Sequence, residues 1–289
     1  MKQYFSMILF LSLMGCASLN LFSPFTDSII NLRTGEEVSF NTLIQNIKNV
    51  HVVIIGETHN QKRHHDIQLK IIQELHRKNS LITVGMEMFE HKSNKYLEEW
   101  SYWKLDEIEM ELLFSKNWAK TYYLLYVDIL RFIRDESIPL IGLNIPRKVT
   151  HKIATKGFKS LPKEERSSLP HVSCDIPQNY RSYLEVVYEL NSHNLGTFEN
   201  FCKAQVFWDS IMAYYAVQFL KENQDHQLII LAGSNHAQRL GILTRIRERM
   251  NVTSRIIIPK TDEDQDDRKI TNAEADYLWI TNHNSISAF

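Results

Sequence analysis

The sequence predicts an α/β fold, in which a mainly parallel β-sheet is flanked by helices and accompanied by a smaller all-helical subdomain. Short apolar runs alternate with amphipathic helical patterns, which is typical of parallel sheets built through right-handed crossovers. Two of the runs end at a glycine, as buried parallel strands often do. They are Val52–Ile55 before Gly56 and residues 228–231 before Ala232-Gly233. A long stretch without any strand pattern, about residues 150–197, predicts the helical subdomain.

The other elements alternate along the chain in the same way. Helical positions carry apolar residues at spacings of three and four, whereas the strands are short and rich in branched residues. The predicted elements are helix 64–78, strand 83–88, a long helical stretch over 95–136, strand 139–145 stopped by Pro146, helix 198–222, and closing strands 254–259 and 277–280.

Residues 150–197 lie between two predicted strands and are far longer than a simple crossover. They contain three prolines and short helical patterns such as residues 180–190. We therefore expect one α/β domain over residues 16–289, with a helical insertion at about 150–197. Cys174 and Cys202 are able to pair in an oxidising compartment, but a single bridge is no disulfide framework.

The N-terminus has the pattern of a bacterial lipoprotein. Residues 1–15 read as a signal peptide, because Lys2 is followed by an apolar core too short to span a bilayer. Leu13-Met14-Gly15-Cys16 matches a lipobox, which predicts lipidation of Cys16 as the first mature residue. The alternative is an ordinary buried cysteine after a secretory signal. We expect a membrane-anchored protein that faces the periplasm. The outer membrane is favoured over the inner membrane, which stays open: Ala17 merely lacks the aspartate that retains some lipoproteins at the inner membrane.

Composition argues against several classes of function. With 33 basic and 34 acidic residues, the net charge gives no reason to expect nucleic acid as a partner. No Cys-x-x-Cys pair occurs, which disfavours a thiolate zinc or iron–sulfur site. Neither common glycine-rich phosphate loop is present, which disfavours nucleotide binding. We accordingly predict no protein-ligated metal centre.

Polar side chains cluster at the carboxyl ends of the predicted strands, the edge where open α/β sheets bind ligands. Any one of them is most simply a surface residue or a satisfied core residue, but six at four strand ends predict a shared cleft. Histidine and glutamate in this arrangement could bind a metal or act as a base with an orienting partner, and an arginine fork could hold a carboxylate. The six residues are Glu57, His59, Glu87, Asn144, Arg147 and His236.

Five motifs in this order resemble the haem-binding uptake lipoprotein family of ChaN, a branch of the Tiki/TraB/erythromycin-esterase superfamily. The resemblance covers about residues 30–260. The first and last motifs belong to the whole superfamily, and the second and fourth point to the ChaN family more narrowly. The motifs are Gly56-Glu57-x-His59 followed by His64-His65, Gly85-Met86-Glu87-Met88-Phe89, Asn144-x-Pro146-Arg147, Ala204-Gln205-x-x-Trp208-Asp209-x-x-Met212-Ala213, and Gly233-x-x-His236.

The resemblance implies ferric haem, bound non-covalently at the interface of a homodimer that forms on haem binding. It implies that one tyrosine ligates each iron and that a histidine and a lysine of the opposite monomer hold the propionates. Tyrosinate is a hard anionic donor that suits ferric iron. We expect the ligand to be Tyr180, at the start of a helix in the insertion where a dimer surface could form, with Tyr126 as the second candidate. His193 is the expected propionate histidine. The candidate propionate lysines are Lys156, Lys159 and Lys203.

The same resemblance leaves three classes of function open. The first is a haem-uptake protein that works with an outer-membrane haem receptor, for which we assign no catalytic residue. The second is a metal-dependent hydrolase, a peptidase or esterase, that uses Glu57, His59 and His236. The third is a scaffold lipoprotein without a ligand of its own. We expect the first, a transport protein and not an enzyme.

Overall fold

A mixed, mostly parallel sheet forms the centre of the molecule. The computed structural model describes residues 27–79, 81–163, 166, 173–191, 196–262, 264 and 269–281. Within them the strands are β1 (Ser28–Asn31), β2 (Val52–Ile55), β3 (Ile82–Glu90), β4 (Leu140–Asn144), β5 (Gln227–Leu231), β6 (Ser254–Thr261) and β7 (Tyr277–Thr281). Their order across the sheet is β1-β7-β6-β2-β5-β3-β4. Only β1 runs antiparallel to its neighbour. The predicted α/β fold is confirmed.

Helices cover both faces of this sheet. They are α1 (Phe40–Ile47), α2 (Lys62–Lys78), α3 (Asn94–Ser101), α4 (Glu107–Asn117), α5 (Tyr123–Asp135), α6 (Arg147–Lys156), α7 (Gln178–Asn191), α8 (Phe198–Glu222), and the single turns α9 (Ser234–Ala237) and α10 (Thr244–Arg247). Short 3₁₀ and π turns connect several of them.

The central strand β2 explains why the sheet is covered on both sides. All four of its residues are fully buried. Because side chains alternate along a strand, Val53 and Ile55 enter the core beneath α2 and α5, whereas Val52 and Ile54 enter the core against α8. A strand buried on both faces reads as a continuous apolar run, which is the pattern that predicted it.

A third core lies in the helical part of the chain. It joins α6, α7 and the first half of α8, and contains Ile153, Tyr180, Leu184 and Phe207. A disulfide between Cys174 and Cys202 ties the segment before α7 to α8. The described residues of 150–197 contain helices and no strand. They pack on α8, which begins after the expected boundary, and the division into domains stays a prediction.

Two features differ from the sequence-based expectation. The stretch 95–136 forms three helices, since Trp103 has a φ of 60° and Asp106 begins α4 with a capping box to Glu109. The edge strand β1 was not expected, because four residues with one buried side chain leave little apolar signal. Residues 1–26, with the expected signal peptide and Cys16, lie outside the described residues. None of the described helices is both long and apolar enough to cross a membrane.

Candidate functional site

Three neighbouring strands bring Glu57, Glu87 and His236 together at the carboxyl edge of the sheet. In the order β2, β5, β3, the first is followed by Glu57, the second by α9 with His236, and the third carries Glu87 near its end. All three residues are at least 95% buried. Each strand end contributes one polar side chain, and the sheet topology brings these side chains together from distant parts of the chain.

Glu57 is the most heavily hydrogen-bonded of these groups. One carboxylate oxygen lies 2.6 Å from Nδ1 of His59 and accepts the hydroxyl of Tyr126. The other accepts Nε2 of Gln68 at 2.8 Å and lies 3.6 Å from Nδ1 of His65. Burial alone would raise the pKa of Glu57, but the neighbouring His65 and the hydrogen bonds from His59 and Tyr126 outweigh it and lower the pKa to about 2. Glu57 is therefore ionised at neutral pH.

His59 is held in one orientation from three sides. Glu57 binds its Nδ1, Trp118 packs at a ring-centroid distance of 5.0 Å, and Gly233 lies under the ring. A Cβ at position 233 would lie 3.1 Å from Cε1 and Nε2 of His59, so any other residue here would have to displace the ring by a few tenths of an ångström. Burial lowers the pKa of His59, but its bond to Glu57 outweighs burial and raises it overall. The side chain remains 31% exposed and lines a cavity of about 450 Å³.

His236 forms a second pair with a carboxylate. Its Nδ1 lies 2.7 Å from Oδ1 of Asp209, and its Nε2 lies 3.8 Å from Oε1 of Glu87. Trp208 packs beside it at a centroid distance of 4.9 Å. Burial lowers the pKa of His236, but the charges of Glu87 and Asp209 outweigh burial and raise it to about 8.

Asp209 is a site residue that sequence reasoning missed. Its Oδ2 accepts the hydroxyl of Tyr180 at 2.9 Å, while its Oδ1 faces His236. Burial raises the pKa of this carboxyl, against the opposing charge of His236. The available signal was a lone aspartate in the apolar stretch of α8, within the motif that pointed to the ChaN family. A buried acid there needs a partner, and the partner is His236.

The two tyrosines expected to ligate iron are both buried in this structure. Tyr180 was expected where a dimer surface could form, but it is 1% exposed and donates to Asp209. Tyr126 is fully buried and donates to Glu57. Burial, together with the adjacent carboxylate, raises both pKa values well above the ordinary value. Iron ligation by either residue stays a prediction.

The remaining cleft residues support the strand ends. Glu87 accepts the backbone N–H of Gly233 at 2.7 Å, and Nδ2 of Asn144 donates to the backbone carbonyl of Glu87 at 2.9 Å. His64 accepts the N–H of Thr58 at 2.9 Å through Nδ1, and its Nε2 lies 3.5 Å from Asp264. Asn144 and His64 therefore hold the backbone around the cleft.

The three lysines expected to hold the haem propionates lie away from the cleft. Lys156 and Lys159 are exposed at the end of α6 and just beyond it. Lys203 pairs with Glu199 at 3.1 Å. His193 lies outside the described residues. The structure therefore brings none of these three lysines into the cleft.

An open groove lies between α6 and α8, on the helical side of the molecule. Its volume is about 520 Å³. Arg147, Lys148 and His151 form an exposed basic rim on α6, and Arg147 lies 4.6 Å above the ring of Trp118. The floor and far wall are Ala154, Phe201, Ala204, Gln205 and Trp208. From sequence, Arg147 was predicted as a residue of the cleft, and Ala204, Gln205 and Trp208 were singled out only as part of a motif. The groove itself was not predicted, although the spacing 201, 204, 205, 208 marks one face of a helix.

Two polar atoms lie behind the wall of the groove. Within the part of the chain that the structure describes, Oε1 of Gln205 and Nε1 of Trp208 are inaccessible to solvent and have no hydrogen-bond partner. Among the residues that the structure describes, no three His, Cys, Asp or Glu side chains form a metal-binding group.

Fold and site together define the chain as an α/β protein with a histidine–carboxylate cleft at the carboxyl edge of its sheet and a basic groove on its helical side. It belongs to the haem-binding uptake family of ChaN in the Tiki superfamily, whose sequence model matches residues 43–246. The family predicted from the motifs is confirmed.

Solved structures and a curated relative are similar to the chain at low identity. ChaN of Campylobacter jejuni, described with cofacial haem binding, aligns at 18% identity and a TM-score of 0.70, covering 88% of this chain and 96% of that one. An erythromycin esterase variant in an open conformation aligns at 14% identity and a TM-score of 0.50, covering 89% and 83%. At these identities the likeness shows the fold alone.

The curated relative is the chloroplastic protein RETICULATA-RELATED 5 of Arabidopsis thaliana. It is 22% identical over 257 residues, which cover 82% of this chain and 35% of the relative. The chain thus spans about a third of the length of that relative.

Proposed function

We propose that the protein is a membrane-anchored lipoprotein that binds ferric haem non-covalently between two copies and serves haem uptake. The observation that carries the proposal is the match of residues 43–246 to the haem-binding uptake family. No Cys-x-x-Cys-His attachment motif occurs in the sequence, so covalent haem attachment is not expected. The lipobox at Cys16 supports a lipid anchor. We place this anchor in the outer membrane, facing the periplasm and within reach of a haem receptor.

The groove between α6 and α8 fits haem in three respects. Its volume of about 520 Å³ lies within the usual range of ligand pockets, roughly 300–1,000 Å³. Its floor is apolar, as a porphyrin face requires, and its rim is basic, as propionates require. Bound haem supplies a ferric iron that a phenolate oxygen can ligate.

For the iron ligand we favour Tyr180 over Tyr126. Tyr180 belongs to the same core as the groove floor, whereas Tyr126 lies under the sheet edge beside Glu57. The Tyr180 hydroxyl must leave Asp209 to reach iron, because its raised pKa in this contact opposes the phenolate. His193, with Lys156, Lys159 or Lys203, is our proposal for the partner's contribution to the propionates.

Haem should also drive dimerisation. An open groove covers one face of a flat ligand, so a second copy is needed to cover the other. At about 25 cal/mol per Å² of apolar surface removed from water, a few hundred Å² would add several kcal/mol before ordering costs. The apo protein is then largely monomeric, and haem shifts it to dimers by mass action.

Haem titration of the purified mature chain, followed by absorption and sedimentation, tests the proposal. We expect a high-spin ferric tyrosinate spectrum and a dimeric complex. Tyr180→Phe should remove that spectrum and weaken the dimer, with Tyr126→Phe as the matched comparison. A chain that binds no haem, or a haem complex that sediments as a monomer, would refute the proposal.

A second candidate function is ester or peptide hydrolysis, which the Glu57–His59 pair beside the 450 Å³ cavity favours. Glu57 fixes Nδ1 of His59, so Nε2 can take a proton from water as the water attacks a carbonyl carbon. Because the pKa of His59 is raised, the base form accumulates with rising pH and activity should rise with it. An ester panel assayed with wild type and His59→Ala tests this candidate. Equal rates for the two proteins would exclude it.

A further inference from the structure

We infer that the protein also docks on a phospholipid bilayer through an exposed apolar surface, which we call the α3–α4 face. It is formed by Tyr96 on α3, Trp103 in the following turn, and Ile108 and Leu112 on α4. The inference goes beyond haem binding, but it rests on the lipid anchor of the proposed function, because the anchor keeps the protein beside a membrane.

Large apolar side chains are exposed together on this face. Its four residues are between 50% and 70% exposed. Ile108 and Leu112 lie one turn apart on the outer side of α4, whereas Met110 and Phe114 on the inner side are buried in the core. A surface helix ordinarily turns a polar side outward. Because α4 carries apolar residues on both sides, its outer side is typical of a contact site for a protein or a membrane.

A groove of about 470 Å³ forms part of the face. Tyr96 and Leu112 line it together with Leu105 and Leu113. An acyl chain fits such an apolar lining. The rim carries charges of both signs, on Lys92, Glu109 and Lys116. The long lysine side chains can keep their stems on the apolar surface and reach phosphates, which all phospholipids carry.

Trp103 is held at the surface by its neighbours. Arg134 lies 4.0 Å from the centre of the Trp103 ring, and Nη2 of Arg134 donates to Glu107 at 3.3 Å. The ring therefore has little conformational freedom to lose when it is covered. Tryptophan and tyrosine favour the membrane–water interface, since each combines an apolar ring with one polar group. An aromatic and aliphatic face of this composition suits the headgroup–acyl boundary.

The anchor leaves the domain on the same side as this face. Asp27, the first described residue, pairs at 3.2 Å with Arg63 at the start of α2. The helices α2, α4 and α5 share one core on one face of the sheet, whereas α8 covers the other face. Residues 17–26 join Cys16 to Asp27, and at about 3.6 Å per residue they can reach about 40 Å. The anchor and the α3–α4 face can therefore meet one bilayer, since the whole sheet is only about 30 Å wide at roughly 4.8 Å per strand.

Trp103 is a built-in reporter for this contact. Of the five tryptophans, Trp100, Trp118 and Trp279 are buried and Trp208 is partly buried, whereas Trp103 is 61% exposed. Phosphatidylcholine with brominated acyl chains quenches a tryptophan that touches the acyl region. The haem-free mature protein is reconstituted in such vesicles through its lipid. A chain that begins at Ala17 and carries no lipid is titrated with the same vesicles.

The variant is Ile108→Gln with Leu112→Gln, which removes two apolar side chains without breaking α4. The matched control is Leu81→Gln with Val186→Gln, two residues that are 46% and 43% exposed outside this face. We expect quenching in the lipidated wild type and control. The lipid-free double variant should partition about tenfold or more weaker than wild type. Trp103→Phe should abolish quenching while the protein still co-sediments with vesicles.

Several results would overturn the inference. They are an unquenched lipidated wild type, equal quenching in wild type and double variant, and binding that requires phosphatidylglycerol and disappears in salt, because apolar docking needs neither net charge nor low ionic strength. Unquenched wild type that self-associates, with the double variant monomeric, would assign the face to a second copy instead.

Failure of the proposed function gives a different result. A chain that binds no haem but shows this quenching pattern would lose the proposed ligand and keep the α3–α4 face as a membrane contact. If mass spectrometry finds no acyl chain on Cys16, the proposed anchor falls, and quenching of the lipid-free wild type that is lost in the double variant would still support the face.

Discussion

Replacing His236 should remove part of the pH dependence of stability. The imidazole lies 2.7 Å from Asp209 and 3.8 Å from Glu87, and 7% of its side chain is exposed. Both carboxylates favour its protonated form in the folded state, whereas in the unfolded chain the same histidine titrates near its ordinary value. His236→Gln keeps a polar side chain of similar size but cannot be protonated.

The size of the effect follows from the pKa difference. The folded pKa is about 8 against an ordinary value of 6.5, and each unit corresponds to about 1.4 kcal/mol, which gives about 2 kcal/mol. Because the folded pKa is raised, this stabilisation is fully present below pH 6.5. It declines as the pH rises through 8 and is lost above that. His59, whose pKa is also raised, acts in the same direction.

Urea unfolding at pH 6 and pH 9 measures the effect. Wild type should lose about 2 kcal/mol more than His236→Gln over this range. His151→Gln, which removes an exposed histidine without a carboxylate partner among the described residues, should behave as wild type. An equal pH dependence in wild type and His236→Gln would refute the electrostatic account of this pair.

Three further predictions concern the architecture around the cleft. Gly233→Ala should displace the ring of His59 and cost about 1–3 kcal/mol in urea unfolding, because the added Cβ lies 3.1 Å from the ring; unchanged stability would show that the ring yields freely. Tyr126→Phe removes a hydrogen bond to a buried carboxylate and should cost about 1.5–3 kcal/mol, measured in the same way. Cys174→Ala with Cys202→Ala removes a bridge across 28 residues and should lower the free energy of unfolding by about 3–4 kcal/mol. Reduced wild type should show the same loss in calorimetry. A difference between the two would point to strain or repacking at the alanines.

The strand ends were predictable because their signal is local. An apolar run that stops at glycine can be read from the residues themselves, and the carboxyl ends of parallel strands meet at one edge whatever the intervening chain does. Glu57 and His236 were therefore found from sequence. The strand order, which sets β5 between β2 and β3, was not needed for that step.

Other features depend on contacts that no local pattern reports. Tyr180 follows Pro177 near the start of a helix, a position that is often exposed, yet its side chain is buried because Asp209 on α8 accepts its hydroxyl. The groove likewise depends on two helices that are distant in the sequence. The residues of α6 or of α8 taken alone form one helix face and do not reveal that the two faces enclose a groove. The break at Asp106 was readable from its capping box, but the apolar content of the surrounding stretch concealed it.

The contacts around the cleft also connect the two candidate functions. Tyr180 is hydrogen-bonded to Asp209, which pairs with His236, which lies beside Glu87. Glu87 accepts the N–H of Gly233, and Gly233 packs against the ring of His59. If iron draws the Tyr180 oxygen away from Asp209, this carboxylate is left buried with one partner fewer, and the position of His236 must respond. Haem binding on the helical side would then change the environment of the cleft histidines, even if the cleft never contacts the ligand.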